Sequence, residues 1–145
     1  MESKKIKIIL FSFLLLAAIG IGDSLYLTKK HYAQQYTCSF LETNNCESVL
    51  TSSYSTIYDI PIALIGAIYY LIIFASSLIY LNKKSNIARK LLIFLPALAF
   101  AYSAYLLYLQ FFVLRSICQY CLVSVATSTI IFILSLIFAK SKKTL

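Results

Sequence analysis

Four long apolar runs alternate with polar links along the chain, at about 6–27, 61–81, 91–114 and 118–139. Each has the roughly 20 residues that a helix needs to cross a hydrocarbon core about 30 Å thick. Backbone polar groups in lipid must be satisfied within their own segment, so each run is read as a helix. The pattern predicts an all-α membrane protein: a four-transmembrane-helix bundle in one domain, 1–145. Residues 28–60 form an outer loop between the first two spans. Its stretch 47–54 is mildly apolar but too short to cross, and is read as a short helix or re-entrant piece capping the bundle mouth. The first run follows lysines, as a signal peptide would. It exceeds the usual apolar core of about 7–15 residues, and Ala18-Ile19-Gly20 is a weak cleavage site, so it is read as a span.

Composition sharpens this reading. The 145 residues are 61% hydrophobic with a mean hydropathy of +0.84, too apolar for an ordinary soluble domain. The formal charge of +8 would suit nucleic acid, but the basic residues cluster between the apolar runs and act as topology signals. Lys4, Lys5, Lys7, Lys83, Lys84, Arg89, Lys90, Lys140, Lys142 and Lys143 fall on one side, against Lys29, Lys30 and Arg115 on the other. The positive-inside rule then puts both termini in the cytoplasm of a multi-pass inner (plasma) membrane protein. All four cysteines, Cys38, Cys46, Cys118 and Cys121, fall on the extracytoplasmic side, where disulfides persist.

Small residues suggest the packing faces: Ala63 and Gly66-Ala67 in span two, Ala97, Ala101 and Ala104 in span three, Ser124 and Ser128 in span four. Pro96 is expected to bend span three. Asp23 is read as an interfacial carboxylate reaching water or Lys29, His31 as loop surface, and the outer tyrosines as an interfacial belt.

The chemistry lies in the cysteines. Cys118 and Cys121 form a C-x-x-C at the start of the last run, where unpaired amides and the helix dipole favour a thiolate. Thiol–disulfide exchange needs an attacking thiolate, a reachable disulfide and an onward path for electrons. At 1.5 Å per residue Cys121 lies about 4.5 Å deeper than Cys118. That makes Cys118 the better partner for a loop cysteine, and Cys121 the better neighbour of an acceptor in the lipid. Cys46 adjoins the capping stretch, whereas Cys38 lies in the wetter part of the loop. Electrons would pass from a partner's thiols to Cys38 and Cys46, then to Cys118 and Cys121, and on to a quinone between the helices.

The same four cysteines are compatible with other roles. Two inert disulfides, Cys38–Cys46 and Cys118–Cys121, would suit a non-enzymatic tetraspan interaction protein. A bridge within one helical turn stabilises little, however. A small transporter could use Asp23 as its coupling carboxylate. A four-cysteine metal site is disfavoured by the oxidising side and by the lack of histidine ligands, so no metal is expected.

These residues together resemble the bacterial members of the vitamin K epoxide reductase family over nearly the whole chain. The resemblance rests on Asp23-Ser24-Leu25-Tyr26-Leu27-Thr28 ending span one, Cys38 and Cys46 in the first outer loop, and Ser52 six residues on. Pro61, Gly66 and Tyr69-Tyr70 in span two and Cys118-Gln119-Tyr120-Cys121 opening span four complete it. The unrelated DsbB-type quinone reductases carry their C-x-x-C in the first outer loop and match less well. The resemblance implies a four-helix bundle around a quinone (ubiquinone or menaquinone), with Cys38 exchanging with a thioredoxin-fold partner. Cys46 would relay to Cys118, and Cys121 would meet the quinone with Ser52 close by. Animal members place an Asn on span two and a Tyr one turn past the C-x-x-C; here those positions hold Ile62 and Val125, which cannot donate hydrogen bonds. Disulfide formation is therefore expected rather than epoxide reduction. The partner is expected to be a separate DsbA-like protein, because no thioredoxin domain follows before Leu145.

Overall fold

The computed structural model describes residues 2–33 and 49–141. Cys38 and Cys46 lie outside the described residues. Four helices are long and apolar enough to cross a membrane, α1 (Glu2–Tyr32), α2 (Ile62–Lys83), α3 (Asn86–Tyr108) and α4 (Gln119–Ser141), with α3 continued by a π-helical turn, Leu109–Val113. Every helix outruns its apolar segment at one end or both, because helical hydrogen bonding does not stop where the chain turns polar. The basic link after α2 shrinks accordingly to Lys84 and Ser85, and Arg89 and Lys90 lie within α3. Lys84 makes this tight reversal in the left-handed region, φ 47°, its N–H capping the Tyr80 carbonyl.

α1 packs on α2 and α4, and α3 packs on the same two, so α1 and α3 lie diagonally across the bundle. On α1, Leu10, Phe13, Ala17, Gly20, Ser24 and Leu27 recur every three or four residues and are buried, whereas Ile8, Phe11, Leu15 and Ile19 face outward. Outward apolar side chains are what a lipid solvent requires. Phe138 closes one end of the core, edge-on to Phe13 and Tyr80. Hydroxyls in the spans are tolerated by bonding back to the preceding turn: Thr28 to Ser24 O, Ser77 to Ile73 O, Thr127 to Val123 O.

One expectation about packing needs correcting. Ala97, Ala101 and Ala104 are exposed, and the inward stripe of α3 is Ala88, Leu92 and Pro96. Small residues mark a close approach only where a neighbouring helix lies opposite, and the alanine stripe faces away from α2 and α4. α3 continues through Pro96, which is buried on that inward stripe.

Before α2 the chain does not form a simple cap helix. Val49 and Leu50 close a helical turn, and Ser52 and Ser55 continue it as hydrogen-bonded turns. A minimal hairpin follows, Thr56–Ile57 (β1) paired antiparallel with Ile60–Pro61 (β2). Its two-residue loop places Tyr58 and Asp59 at φ 51° and 64°, the handedness that matches strand twist. Neither residue is Gly or Asn, which is why the turn escapes a reading of the sequence.

Candidate functional site

The C-x-x-C is held by the joint between the π-turn and α4. The last π hydrogen bond runs from Leu114 N–H to Leu109 O at 2.8 Å. The chain then turns through Arg115 at φ 48°, and Ser116 N–H donates to Gln110 O at 3.1 Å. Cys118 N–H donates to the Gln110 side-chain oxygen, also at 3.1 Å. The Cys118 carbonyl accepts the first α4 bond, from Leu122 N–H, so Cys118 stands just before the helix and Cys121 inside its first turn.

The two cysteines differ in surroundings. Cys118 is fully buried against Val49, with Leu114, Tyr120 and Cys121 around them. Cys121 is half-buried and lines a cavity of about 330 Å³ between the helices. That volume falls in the range of about 300–1,000 Å³ typical of small-molecule sites. Cys118 is disulfide-bonded, while Cys121 keeps a thiol, so the bond does not join the two members of the C-x-x-C. The inert Cys118–Cys121 staple is thereby set aside.

Along α4, Cys121, Ser124, Val125 and Ser128 all line the cavity, the i, i+3, i+4, i+7 positions of one helical face. Across from them the Tyr70 phenol lies 3.1 Å from Ser124 O, Ser124 Oγ and Ser128 Oγ. The Tyr70 ring reaches that position over Gly20, where an added Cβ would come within 2.5–2.6 Å of the ring carbons. Gly20 is therefore required by a close approach and not by its backbone angle. Leu95, Leu98 and Leu106 of α3 form the opposite, apolar wall.

Of the residues singled out from the sequence, Cys121 and Ser52 meet at this cavity, and Ile62 and Val125 line it as well. Ser52 donates its hydroxyl proton to Val49 O at 2.8 Å, which leaves its oxygen able to accept but not to donate. Tyr26 and Tyr120 are more than a belt: their rings pack 5.2 Å apart and tie the end of α1 to the C-x-x-C, with Lys30 Nζ 5.6 Å from the Tyr26 ring.

Three residues were misjudged or missed. His31 is no plain surface residue, since it lines the cavity edge at the end of α1. Asp23 does not reach Lys29: its Oδ2 is buried without a hydrogen-bond partner among the described residues. Gln110, 3% exposed and lining the cavity, was missed altogether. A lone amide eight residues before Cys118 inside an apolar run was the available signal.

The family model for the vitamin K epoxide reductase family matches residues 11–136. Among curated proteins, none matches the chain.

Proposed function

We infer the function from one premise: the chain belongs to the vitamin K epoxide reductase family, whose members are membrane thiol–disulfide oxidoreductases associated with quinones and thioredoxin-like proteins. Within that class, the reading that best fits the site is an oxidase that regenerates the disulfide of an extracytoplasmic thioredoxin-fold (DsbA-like) partner. Electrons pass through Cys38 and Cys46 to Cys118 and Cys121 and then to ubiquinone or menaquinone. The cysteines and the cavity mouth face the extracytoplasmic side, both termini lie in the cytoplasm, and 1–145 acts as one domain.

The observation that carries this reading is the division between the two cysteines, Cys118 sealed beside Val49 and Cys121 open to an apolar cavity. Val49 follows Cys46 by three residues, a reach of at most about 10 Å of chain. Cys46 is therefore the natural partner of the Cys118 disulfide, whereas Cys38 is eleven residues from Val49 and is the one left to meet the partner protein. Attack by the Cys121 thiolate on Cys118 releases the loop cysteine and closes the C-x-x-C in the reverse direction of the same exchange. The cavity fits a quinone ring: its walls are apolar, it has the volume, and it presents a sulfur at its edge. A bound quinone supplies an acceptor for two electrons and two protons. The wall from α3 is apolar, and the Tyr70–Ser124–Ser128 cluster ties α2 to α4 beneath Cys121.

Purified protein supplied with a reduced thioredoxin-fold protein and a soluble quinone analogue should reduce the quinone, read by its ultraviolet absorbance. No reduction with an active partner would contradict the reading.

A further inference from the structure

Gln110 has a second arm that the electron path above does not use. Its Oε1 accepts the Cys118 N–H at 3.1 Å. A backbone N–H requires an oxygen opposite it, which fixes the orientation of the amide. The other arm is therefore Nε2, with two N–H groups, and it donates to nothing among the described residues. Gln110 is nearly fully buried and lines the same cavity as Cys121. Buried side-chain donors are normally satisfied, so idle ones facing a cavity point to an acceptor that the cavity receives. The residue sits in a π-turn, a local strain of the helix that recurs at functional positions.

The acceptor must be an oxygen on an apolar body. Leu95, Leu98 and Leu106 suit the body, and the lining side chains of Ile62 and Val125 have no hydrogen-bond donor to offer it. The Tyr70, Ser124 and Ser128 hydroxyls are occupied with one another, and the Ser52 proton is given to Val49 O. The buried Tyr69 hydroxyl also lines the cavity without a partner among the described residues, but it holds nothing at the C-x-x-C, whereas the Gln110 amide already grips the Cys118 backbone.

Resting on the quinone reading above, we propose that Gln110 donates through Nε2 to a carbonyl oxygen of the quinone. The one amide then holds the ring beside Cys121 and the Cys118 backbone together. The reaction it serves balances as two thiols, Cys118 and Cys121, forming one disulfide. Their two electrons and two protons pass to the two carbonyl oxygens, which become hydroxyls. Negative charge gathers on those oxygens as electrons arrive, and a donor already in place there stabilises it.

The test is the infrared carbonyl stretch of menadione, carbon-13 labelled at its carbonyls, bound to the full-length protein. The unmutated protein should show one carbonyl band lowered relative to menadione in detergent. Gln110→Met should return it to the detergent value and raise the menadione KM about five- to tenfold. Gln110→Glu retains the acceptor for Cys118 N–H, and in alkaline buffer its carboxylate has no proton to give, so it should fold and also lose the lowered band. A lowered band that persists in either variant, or two unshifted carbonyls in the unmutated protein, would overturn the assignment. If menadione does not bind the unmutated protein at all, the quinone reading itself fails, and the assignment with it.

Discussion

Cys118 and Cys121, one helical turn apart, occupy opposite environments: Cys118 has no exposed surface, while Cys121 lines the interhelical cavity. Burial against Val49 shields Cys118 from small reagents, whereas the cavity leaves Cys121 open to an apolar molecule. This asymmetry underlies the proposed order of exchange.

Changing Cys118 or Cys121 to Ala should abolish quinone reduction by any thiol donor. Cys38→Ala should abolish reduction by the protein partner yet spare turnover driven by a small dithiol, which needs no docking. Stopped-flow quinone absorbance with each donor checks both statements. Equal loss in Cys38→Ala and Cys121→Ala with the small dithiol would reverse the relay order.

Gly20→Ala should destabilise the bundle by about 1–3 kcal/mol, because the new methyl meets the Tyr70 ring within a well-packed core. Tyr70→Leu removes the opposing ring carbons and should recover part of that loss in the double variant. Thermal unfolding in detergent of the two single variants and the double variant measures the coupling. Independent effects would mean that the contact is not what requires glycine.

Tyr70→Phe keeps the ring over Gly20 and deletes only the phenol oxygen, which lies 3.1 Å from Ser124 and Ser128 groups. Hydrogen bonds between membrane helices average about 0.6 kcal/mol and reach about 1.7. The variant should lose stability within that span, read by the same unfolding assay, and its maximal rate should change little.

How much of this was legible beforehand differs from feature to feature. The four spans and the family followed from apolar length, basic-residue placement and cysteine order, all of which are properties of sequence alone. The burial of Cys118 against Val49 did not, because it depends on where the segment before α2 settles and not on helical rise. The face of α3 did not, because Ala97, Ala101 and Ala104 have the spacing of a packing stripe, and only the placement of α2 and α4 decides which stripe is covered. Gln110 was hidden for a similar reason. Its role depends on a π-turn and on the left-handed Arg115, neither of which has a residue signature here. The Tyr58–Asp59 hairpin lacked the glycine that usually announces such a turn.

Ile62 and Val125 line the cavity from α2 and α4 with side chains that donate no hydrogen bond. Introducing Ile62→Asn and Val125→Tyr together should tighten naphthoquinone binding several-fold, since each new donor adds about 1 kcal/mol when it finds a carbonyl. Titration of the protein with menadione measures it. An unchanged affinity in a folded double variant would mean that the ring does not sit between α2 and α4.

The most direct measurement is covalent trapping. The reduced, full-length protein is treated with a naphthoquinone that adds to thiolates, and the modified peptide is identified by mass spectrometry. The adduct should form on Cys121, the sulfur at the cavity, before any forms on Cys118. An adduct that forms first on Cys118, with Cys121 unmodified, would contradict the placement on which the electron path depends.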